Sequence, residues 1–210
     1  MGLNESSNLL YINVSKGKLI TGSGENKKEF ISYTGTLLKI EPFQDEYEGK
    51  PQNKIRLTFN DGEDPRNASI TFLEDSWFGV GFFARILNID FKKPFTLGVI
   101  QSDKNEKVSF CYLKQGDKKI EKHPDLVSPV KTTKKGIRGN PDTVEYDWLP
   151  FMEFSDKTTA WVKDEIYKAT HTDAELQNDK EVTEKLDTVG KSVTREKVTA
   201  DNPTDDDLPF

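Results

Sequence analysis

The sequence predicts a mainly β fold that contains one short central helix and a second helix further along the chain. Two observations carry this prediction. Apolar and polar residues alternate with a period of two in several short segments separated by turn residues, which is the pattern of half-buried strands. Between two groups of such segments, at residues 77–89, the apolar spacing changes to that of an amphipathic helix.

The first predicted element is a hairpin over residues 8–22. Leu10, Ile12 and Val14 occupy alternate positions, and a Ser-Lys-Gly turn follows them. We interpret residues 1–28 as an N-terminal hairpin extension that precedes the core.

Three core strands are predicted next. The first, at residues 30–43, is long and contains Gly35, and a glycine inside a strand usually marks a bulge or a sharp bend. The second, at residues 54–59, has the clearest alternation, since every second residue is a large apolar one. The third covers residues 68–73.

The short helix and the strands after it complete the predicted core. Two strands are expected at residues 95–101 and 107–113, and a last short one at residues 118–123. An order of three strands, one helix and two strands is the order of an OB-fold, in which a helix follows the third strand. We therefore predict an OB-fold-like five-stranded barrel over residues 29–123.

Two further segments follow the predicted core. Residues 124–170 form a basic, loop-like region up to residue 147, followed by an aromatic stretch that is expected to pack back on the domain, with a helix at residues 158–168. Residues 171–210 have the composition of a disordered acidic tail, with almost no aromatic residues. The tail carries eleven acidic and five basic residues, so the first 170 residues, with 25 of each, are close to neutral.

Several classes of protein do not fit this composition. A single cysteine, Cys111, cannot form a disulfide framework and is typical of a reducing cytoplasm, and no apolar run approaches the ~20 residues of a membrane span. Residues 79–84 match a G-x-G-x-x-A pattern, but they fall inside the predicted helix, where glycine serves close packing. Two histidines and one cysteine do not provide the Cys and His ligands of a zinc site. We expect a cytoplasmic protein that is not an enzyme and needs no metal or organic cofactor.

The C-terminal tip combines an acidic run with a terminal aromatic ring. Such a segment suits a portable ligand, because the ring can enter an apolar pocket while the carboxylates meet basic side chains around it. The alternative is an ordinary solvated acidic tail, which explains the aspartates but not the apolar ending. The tip consists of Asp205, Asp206, Asp207, Leu208, Pro209 and Phe210.

This tip resembles that of the bacterial single-stranded DNA-binding proteins, which end in Asp-Asp-Asp-Ile-Pro-Phe, so Leu208 is the one difference. The resemblance implies an OB-fold that binds the strand and a tip that docks on replication and repair proteins such as a polymerase, primase-helicase or nuclease. The charged, Thr-rich linker and residues 124–170 have no counterpart in the bacterial proteins, which favours a phage member located in the host cytoplasm.

A basic stretch at residues 104–138 is the second signal, with ten basic and four acidic residues. Phe110 and Tyr112 lie within it, and aromatic rings stack on bases while lysines and arginines follow the phosphates. The alternative is a solvated face with two core aromatics. The residues expected to bind DNA here are Lys104, Lys107, Phe110, Tyr112 and Lys114.

A third, smaller group lies near the second core strand. Lys54 and Arg56 share the polar face of that strand, which is a usual binding face of an OB barrel, and Lys39 on the first strand can join them. Tyr47 is expected in the loop between the two strands, another usual contact. The alternative is an exposed polar face of a sheet.

Together these patterns predict sequence-independent binding and protection of single-stranded DNA in phage replication, recombination or repair. The expected partners are single-stranded DNA and replication proteins that bind the tip. This class of protein also allows a homo-oligomer, in which the partner is a second copy of the chain. The rival prediction is a non-catalytic β-rich phage structural or assembly protein that binds no nucleic acid.

Overall fold

A computed structural model describes residues 9–60, 62, 67–134, 143–172 and 175. Within these residues the chain up to Thr170 forms one compact unit, and a second unit begins at His171. The first unit is mainly β, with a curled nine-stranded sheet in the form of a half-barrel and two α-helices. The mainly β class, the central helix and the C-terminal helix are therefore confirmed.

Nine strands of the described residues form the large sheet, in the order β3-β2-β1-β6-β5-β4-β7-β8-β9. All neighbours are antiparallel except β1 and β6, which are parallel. The strands are β1 (Leu9–Ser15), β2 (Lys18–Thr21), β3 (Lys28–Phe30), β4 (Ser32–Tyr47), β5 (Lys50–Asn60), β6 (Asn67–Leu73), β7 (Phe95–Gln101), β8 (Ser109–Gln115) and β9 (Lys118–Lys119).

The N-terminal hairpin is part of this sheet. Lys16 and Gly17 form its two-residue turn, both with positive φ (47° and 72°), which is the geometry that matches the twist of paired strands. A Cβ on Gly17 would lie 2.4 Å from the Cβ of Gln101, so only glycine fits there. Because β1 pairs with β6, the hairpin that was predicted as an extension of the core belongs to the same sheet, where it covers an edge that the core strands leave open.

Strand β4 is long because it pairs first with one neighbouring strand and then with another. Its first four residues pair with β7, and from Thr36 onward it pairs with β5. Gly35 stands at the change of partner, where a Cβ would lie 2.8 Å from the carbonyl oxygen of Asn60. The bulge itself falls at Leu38, three residues later.

Beyond the end of β6, strands β4 and β5 continue as a two-stranded ribbon. The ribbon ends in a turn of Glu48 and Gly49, both with positive φ. Tyr47 is the last residue of β4 and is 59% exposed. Its predicted position in a loop was wrong by one residue, because the turn has only two residues and the strand extends up to it.

Helix α1 (Trp77–Ile86) packs along β8. Ser76 caps the helix by accepting a hydrogen bond from the Gly79 backbone N–H at 3.1 Å. A Cβ on Gly79 would lie 2.2 Å from the Glu74 carbonyl oxygen, and one on Gly81 would lie 2.8 Å from the Cys111 carbonyl oxygen. Both glycines of the G-x-G-x-x-A pattern therefore permit close packing of the helix.

Helix α2 (Leu149–Thr170) packs on β4 and α1 through a buried face of three apolar and three hydroxyl-bearing residues. It begins nine residues before the predicted start at residue 158. Pro150 lies in its first turn, where the missing N–H has no helical acceptor to lose, so it does not interrupt the helix. The buried residues of α2 are Phe151, Ser155, Thr158, Thr159, Val162 and Ile166.

A second, two-stranded sheet lies between β9 and α2, in the region predicted to be a loop. Strands β10 (Val130–Lys134) and β11 (Thr143–Asp147) pair antiparallel, and all ten of their residues are exposed. The loop prediction for residues 124–147 was therefore wrong for these strands. A ribbon with no buried face has no apolar alternation by which the sequence could reveal it.

No helix in the described part of the chain is both long and apolar enough to cross a membrane.

Candidate nucleic-acid interface

The sheet separates the predicted DNA-binding residues into two groups. Lys39, Tyr47, Lys54 and Arg56 lie on β4 and β5, whereas the second group lies on β8 and in the loop that precedes it. Strand β7 lies between β4 and β8 in the sheet, and it pairs only with residues 32–35 of β4, which precede Lys39 and Tyr47. The two groups therefore occupy different parts of the surface.

The cations of the first group are engaged within the protein. The Nζ of Lys54 lies 2.8 Å from Oδ2 of Asp45, and this bond is the main reason that the pKa of the Asp45 carboxyl is lowered. The Arg56 guanidinium lies 4.4 Å from the ring centre of Phe43. Lys39 Nζ likewise pairs with Glu41 at 2.8 Å. A phosphate on this face would compete with carboxylates already in contact with the lysines.

Strand β8 presents aromatic rings on its outer face. Cys111 and Leu113 are buried, while the alternate residues Phe110 and Tyr112 point outward, with Phe110 40% exposed. The Tyr112 ring lies directly over Gly98, where a Cβ would come within 2.0 Å of its Cζ. Glycine thus lets the ring lie against the backbone of β7.

The other members of the second group lie on β8 and in the loop that precedes it. Lys114 has its Nζ 5.7 Å from the Tyr112 ring centre. Lys107 lies just before β8, and Lys104 is exposed in the β7–β8 loop, where its N–H donates to Ser102.

A pocket of about 370 Å³ lies between α1 and β8, and we call it the α1–β8 pocket. Three cations line it together with the rings of β8 and one tryptophan of the helix. Its far wall is the segment after β9, which is attached to the helix by the His123 N–H donating to the Ala84 carbonyl at 2.6 Å. The lining residues are Trp77, Val80, Gly81, Arg85, Ile100, Phe110, Cys111, Tyr112, Lys119, Lys122 and Ser128.

Arg85 is the least exposed of the three cations that line this pocket. Its Nη1 donates to the Gly81 carbonyl at 2.8 Å, while its Nε is buried and has no acceptor among the described residues. Burial raises the pKa of the neighbouring Cys111 thiol, so that side chain is neutral. Lys119 and Lys122 are exposed at the rim. The pocket therefore combines an apolar wall with positive charge and no carboxylate in its lining.

A second pocket, of about 420 Å³, lies between β6 and β8, and we call it the β6–β8 pocket. No strand pairing joins β6 to β8 in the described residues, and the pocket occupies this gap in the half-barrel. The Gly17 N–H donates to Ser109 Oγ at 2.8 Å across it. The lining residues are Val14, Ser15, Lys16, Phe72, Leu73, Asp75, Ser76, Trp77, Phe78, Lys107, Val108, Ser109 and Trp148.

Trp77 connects the two pockets, since it lines both. Residues 107–109 line the β6–β8 pocket and residues 110–112 line the α1–β8 pocket, so the two adjoin along one strand. We call the two pockets, with Trp77 between them, the Trp77 groove. The Trp77 ring is half-buried and makes edge contacts with Tyr146 and Trp148, at centroid distances of 5.1 and 5.7 Å.

Sequence reasoning identified only part of this groove. The basic stretch drew attention to β8 and includes Lys119 and Lys122, although neither was assigned to the site. Trp77 and Arg85 were missed, because they come from a helix whose apolar spacing indicated only core packing. The tip, residues 205–210, and the basic residues Lys135 and Arg138 lie outside the described residues.

Among the described residues there is no group of three or more His, Cys, Asp and Glu side chains placed to hold a metal ion. Comparison of the chain with protein-family models, with curated proteins and with solved structures finds no match.

Proposed function

We propose that the protein binds single-stranded DNA without sequence preference, along the Trp77 groove, and protects it during replication or recombination. The observation that carries this proposal is the lining of the groove. Aromatic rings of β8 and α1, with lysines and an arginine beside them, line two adjoining pockets along strand β8. This combination is the usual one for sequence-tolerant binding of single strands, because every base has a face on which a ring can stack.

The preference for a single strand follows from the same chemistry. In a duplex the faces of the bases are covered by their neighbours, so the rings of Phe110 and Tyr112 have nothing to stack on. The lysines at the rim attract phosphates of either form. Selectivity is therefore expected from the rings, and the dependence on salt from the cations.

The strand pairings also support an OB-like core. The five strands β4 to β8, with α1 after the third of them, have the order expected of that barrel, and the β6–β8 pocket lies where its third and fifth strands would face each other. In such barrels the second and third strands and the loops beside them often bind the ligand. Lys39, Tyr47, Lys54 and Arg56 thus remain in the proposal as a secondary contact.

The acidic tip extends the proposal to partners. Its likeness to the tip of the bacterial single-stranded DNA-binding proteins supports recruitment of replication proteins through residues 205–210. Such a role places the protein in the cytoplasm, where the DNA is replicated.

Fluorescence anisotropy with labelled oligo-dT and a duplex of equal length tests the proposed binding. We expect the single strand to bind more tightly, with affinity falling as salt rises by a slope of roughly -0.7 per phosphate contact. Equal affinity for the duplex, or no binding at low salt, would exclude the proposal.

The rival function, a protein-binding structural or assembly role, is favoured by one observation. Ile100 and Phe110 form a cross-strand pair that is 50% and 40% exposed. Val127, which precedes Ser128 of the same pocket lining, is also 40% exposed. Such apolar side chains also suit a protein partner. If the oligonucleotide does not bind at low salt, this function takes precedence.

A further inference from the structure

The β10–β11 ribbon stands at the junction of the two pockets. Ser128, two residues before β10, lines the α1–β8 pocket, and Trp148, directly after β11, lines the β6–β8 pocket. Between them Tyr146 of β11 contacts Trp77, with the two rings perpendicular. A DNA strand that runs along β8 from one pocket to the other must therefore pass the end of the ribbon where β10 begins and β11 ends.

The two faces of the ribbon differ in charge. Lys131 is paired with Tyr146 and Thr133 with Val144, so these four residues share the face that meets Trp77. The acidic residues, Glu145 and Asp147, lie on the opposite face.

Both acids already have partners within the protein. Lys134 Nζ pairs with Glu145 at 2.6 Å, and Asp147 accepts a hydrogen bond from the Leu149 N–H at 3.0 Å. Lys131 makes no ion pair with any residue that the structure describes. The face toward the groove therefore carries one available cation and a ring, without a carboxylate.

The ribbon lacks the packing that usually stabilises two strands. All ten residues are exposed, including Val130, Val144 and Tyr146 at 50%, 49% and 37%. An isolated two-stranded ribbon is marginally stable in water, and it gains most from a ligand that packs on one face.

We infer that the β10–β11 ribbon is a second nucleic-acid-binding element, which holds a single-stranded polynucleotide against the Trp77 groove. This inference rests on the proposed function. Lys131 contacts the backbone phosphates where the strand crosses from one pocket to the other, and Tyr146 contributes a ring beside Trp77. The ligand is a strand long enough to enter both pockets.

Two charge reversals on opposite faces of the ribbon test the inference in the full-length protein. Lys131→Glu and Lys134→Glu change the net charge equally and lie three residues apart. We expect Lys131→Glu to weaken oligo-dT binding at low salt by about tenfold, because a phosphate contact becomes a repulsion, and Lys134→Glu by less than about twofold. Thermal unfolding of both variants checks that the fold is kept.

Equal losses in the two variants would mean that only the overall charge matters, and they would overturn the inference, as would an unchanged affinity of Lys131→Glu. Hydrogen exchange of the wild type gives a second readout that needs no variant. Saturating oligo-dT should slow exchange of the amides in β10 and β11 and leave those of β3 unchanged. Unchanged exchange in the ribbon while anisotropy reports binding would refute the ribbon alone, whereas a wild type that binds no oligonucleotide would refute the proposed function.

Discussion

The carboxyl group of Glu74 is the least expected side chain of the interior. It is only 5% exposed, and Ser155 Oγ is its hydrogen-bond partner. The same Oγ lies 2.9 Å from the Met152 carbonyl oxygen, yet a hydroxyl has one proton to donate. Both contacts are hydrogen bonds when Glu74 is protonated, because it then donates to Ser155, which donates to Met152.

The direction in which the pKa of Glu74 is shifted also favours the protonated carboxyl group. Burial, as the largest cause, raises the pKa of Glu74 above its ordinary 4.5, and the nearby carboxylates of Asp156 and Asp75 raise it further, while the bond from Ser155 lowers it. Below pH 4.5 the group is protonated in both the folded and the unfolded chain. As pH rises from there through the raised pKa of the folded state, the unfolded chain loses its proton more readily, so stability decreases.

Glu74→Gln should therefore stabilise the protein at pH 8 and not at pH 4. The amide can donate to Ser155 as the protonated acid does, without a buried charge, and a gain of about 1 kcal/mol is expected. Urea denaturation at the two pH values measures it, with Glu153→Gln, an exposed glutamate on α2, as the control. A variant that is less stable at pH 8 would contradict the protonated arrangement.

The contribution of a single ring can be measured at Phe110. Phe110→Ala should weaken oligo-dT binding by about 1–3 kcal/mol, the usual value of one base stacked on a ring, and leave the free energy of unfolding nearly unchanged. Phe30→Ala on β3 is the matched control, since Phe30 is 45% exposed and Phe110 40%. Equal binding by the two variants would show that Phe110 does not meet the strand.

At the scale of the elements, what the sequence could reveal depended on burial. Strand β5 was predicted because Ile55, Leu57 and Phe59 are fully buried on one face, and α1 because its apolar residues recur at helical spacing. The β10–β11 ribbon was missed because none of its ten residues is buried. The parallel pairing of β1 with β6 joins segments more than 50 residues apart, and no local pattern encodes it.

The candidate site was predictable to the same extent. Phe110, Tyr112 and the lysines around them could be identified because they are neighbours along one basic segment. Trp77 and Arg85 reach the groove only through the packing of α1 against β8, which Gly81 allows. Tertiary contacts of this kind leave no trace in spacing or composition.

The two cationic surfaces should differ in their contribution to binding. Lys119→Ala with Lys122→Ala removes two cations from the rim of the α1–β8 pocket and should flatten the salt slope by about 1.4, which corresponds to two phosphate contacts. Lys54→Ala with Arg56→Ala should flatten it less, because Asp45 and Phe43 already engage these side chains.

Anisotropy at several salt concentrations measures both slopes. Lys157→Ala with Lys163→Ala, two exposed lysines on α2, controls for the change in net charge. If the Lys54 and Arg56 pair has the larger effect, the strand follows the β4–β5 face and not the Trp77 groove.

On the scale of the whole molecule, charge is divided along the chain. Residues 1–170 are neutral in sum and residues 171–210 carry the net charge of -6. A chain with this charge distribution can attract a polyanion only through a local concentration of cations and not through its overall charge. The groove provides such a concentration, and the negative charges of the tail repel a polyanion by an amount that falls with distance and with rising salt.

The acids and the ring of the tip should therefore have separable effects. Replacing Asp205, Asp206 and Asp207 by Asn removes three negative charges, so oligo-dT affinity should rise at low salt and return to the wild-type value at 1 M salt, where the screening length is ~3 Å. Phe210→Ala changes no charge and should leave DNA affinity unaltered at every salt concentration.

Partner binding should follow the opposite pattern, because the ring is the group that can fill an apolar pocket and anchors of this kind contribute ~2 kcal/mol or more. A quantitative pull-down of replication proteins with full-length baits should thus show most of the loss for Phe210→Ala. Equal recovery of those proteins by Phe210→Ala and the wild type would reduce the tip to a solubilising acidic segment.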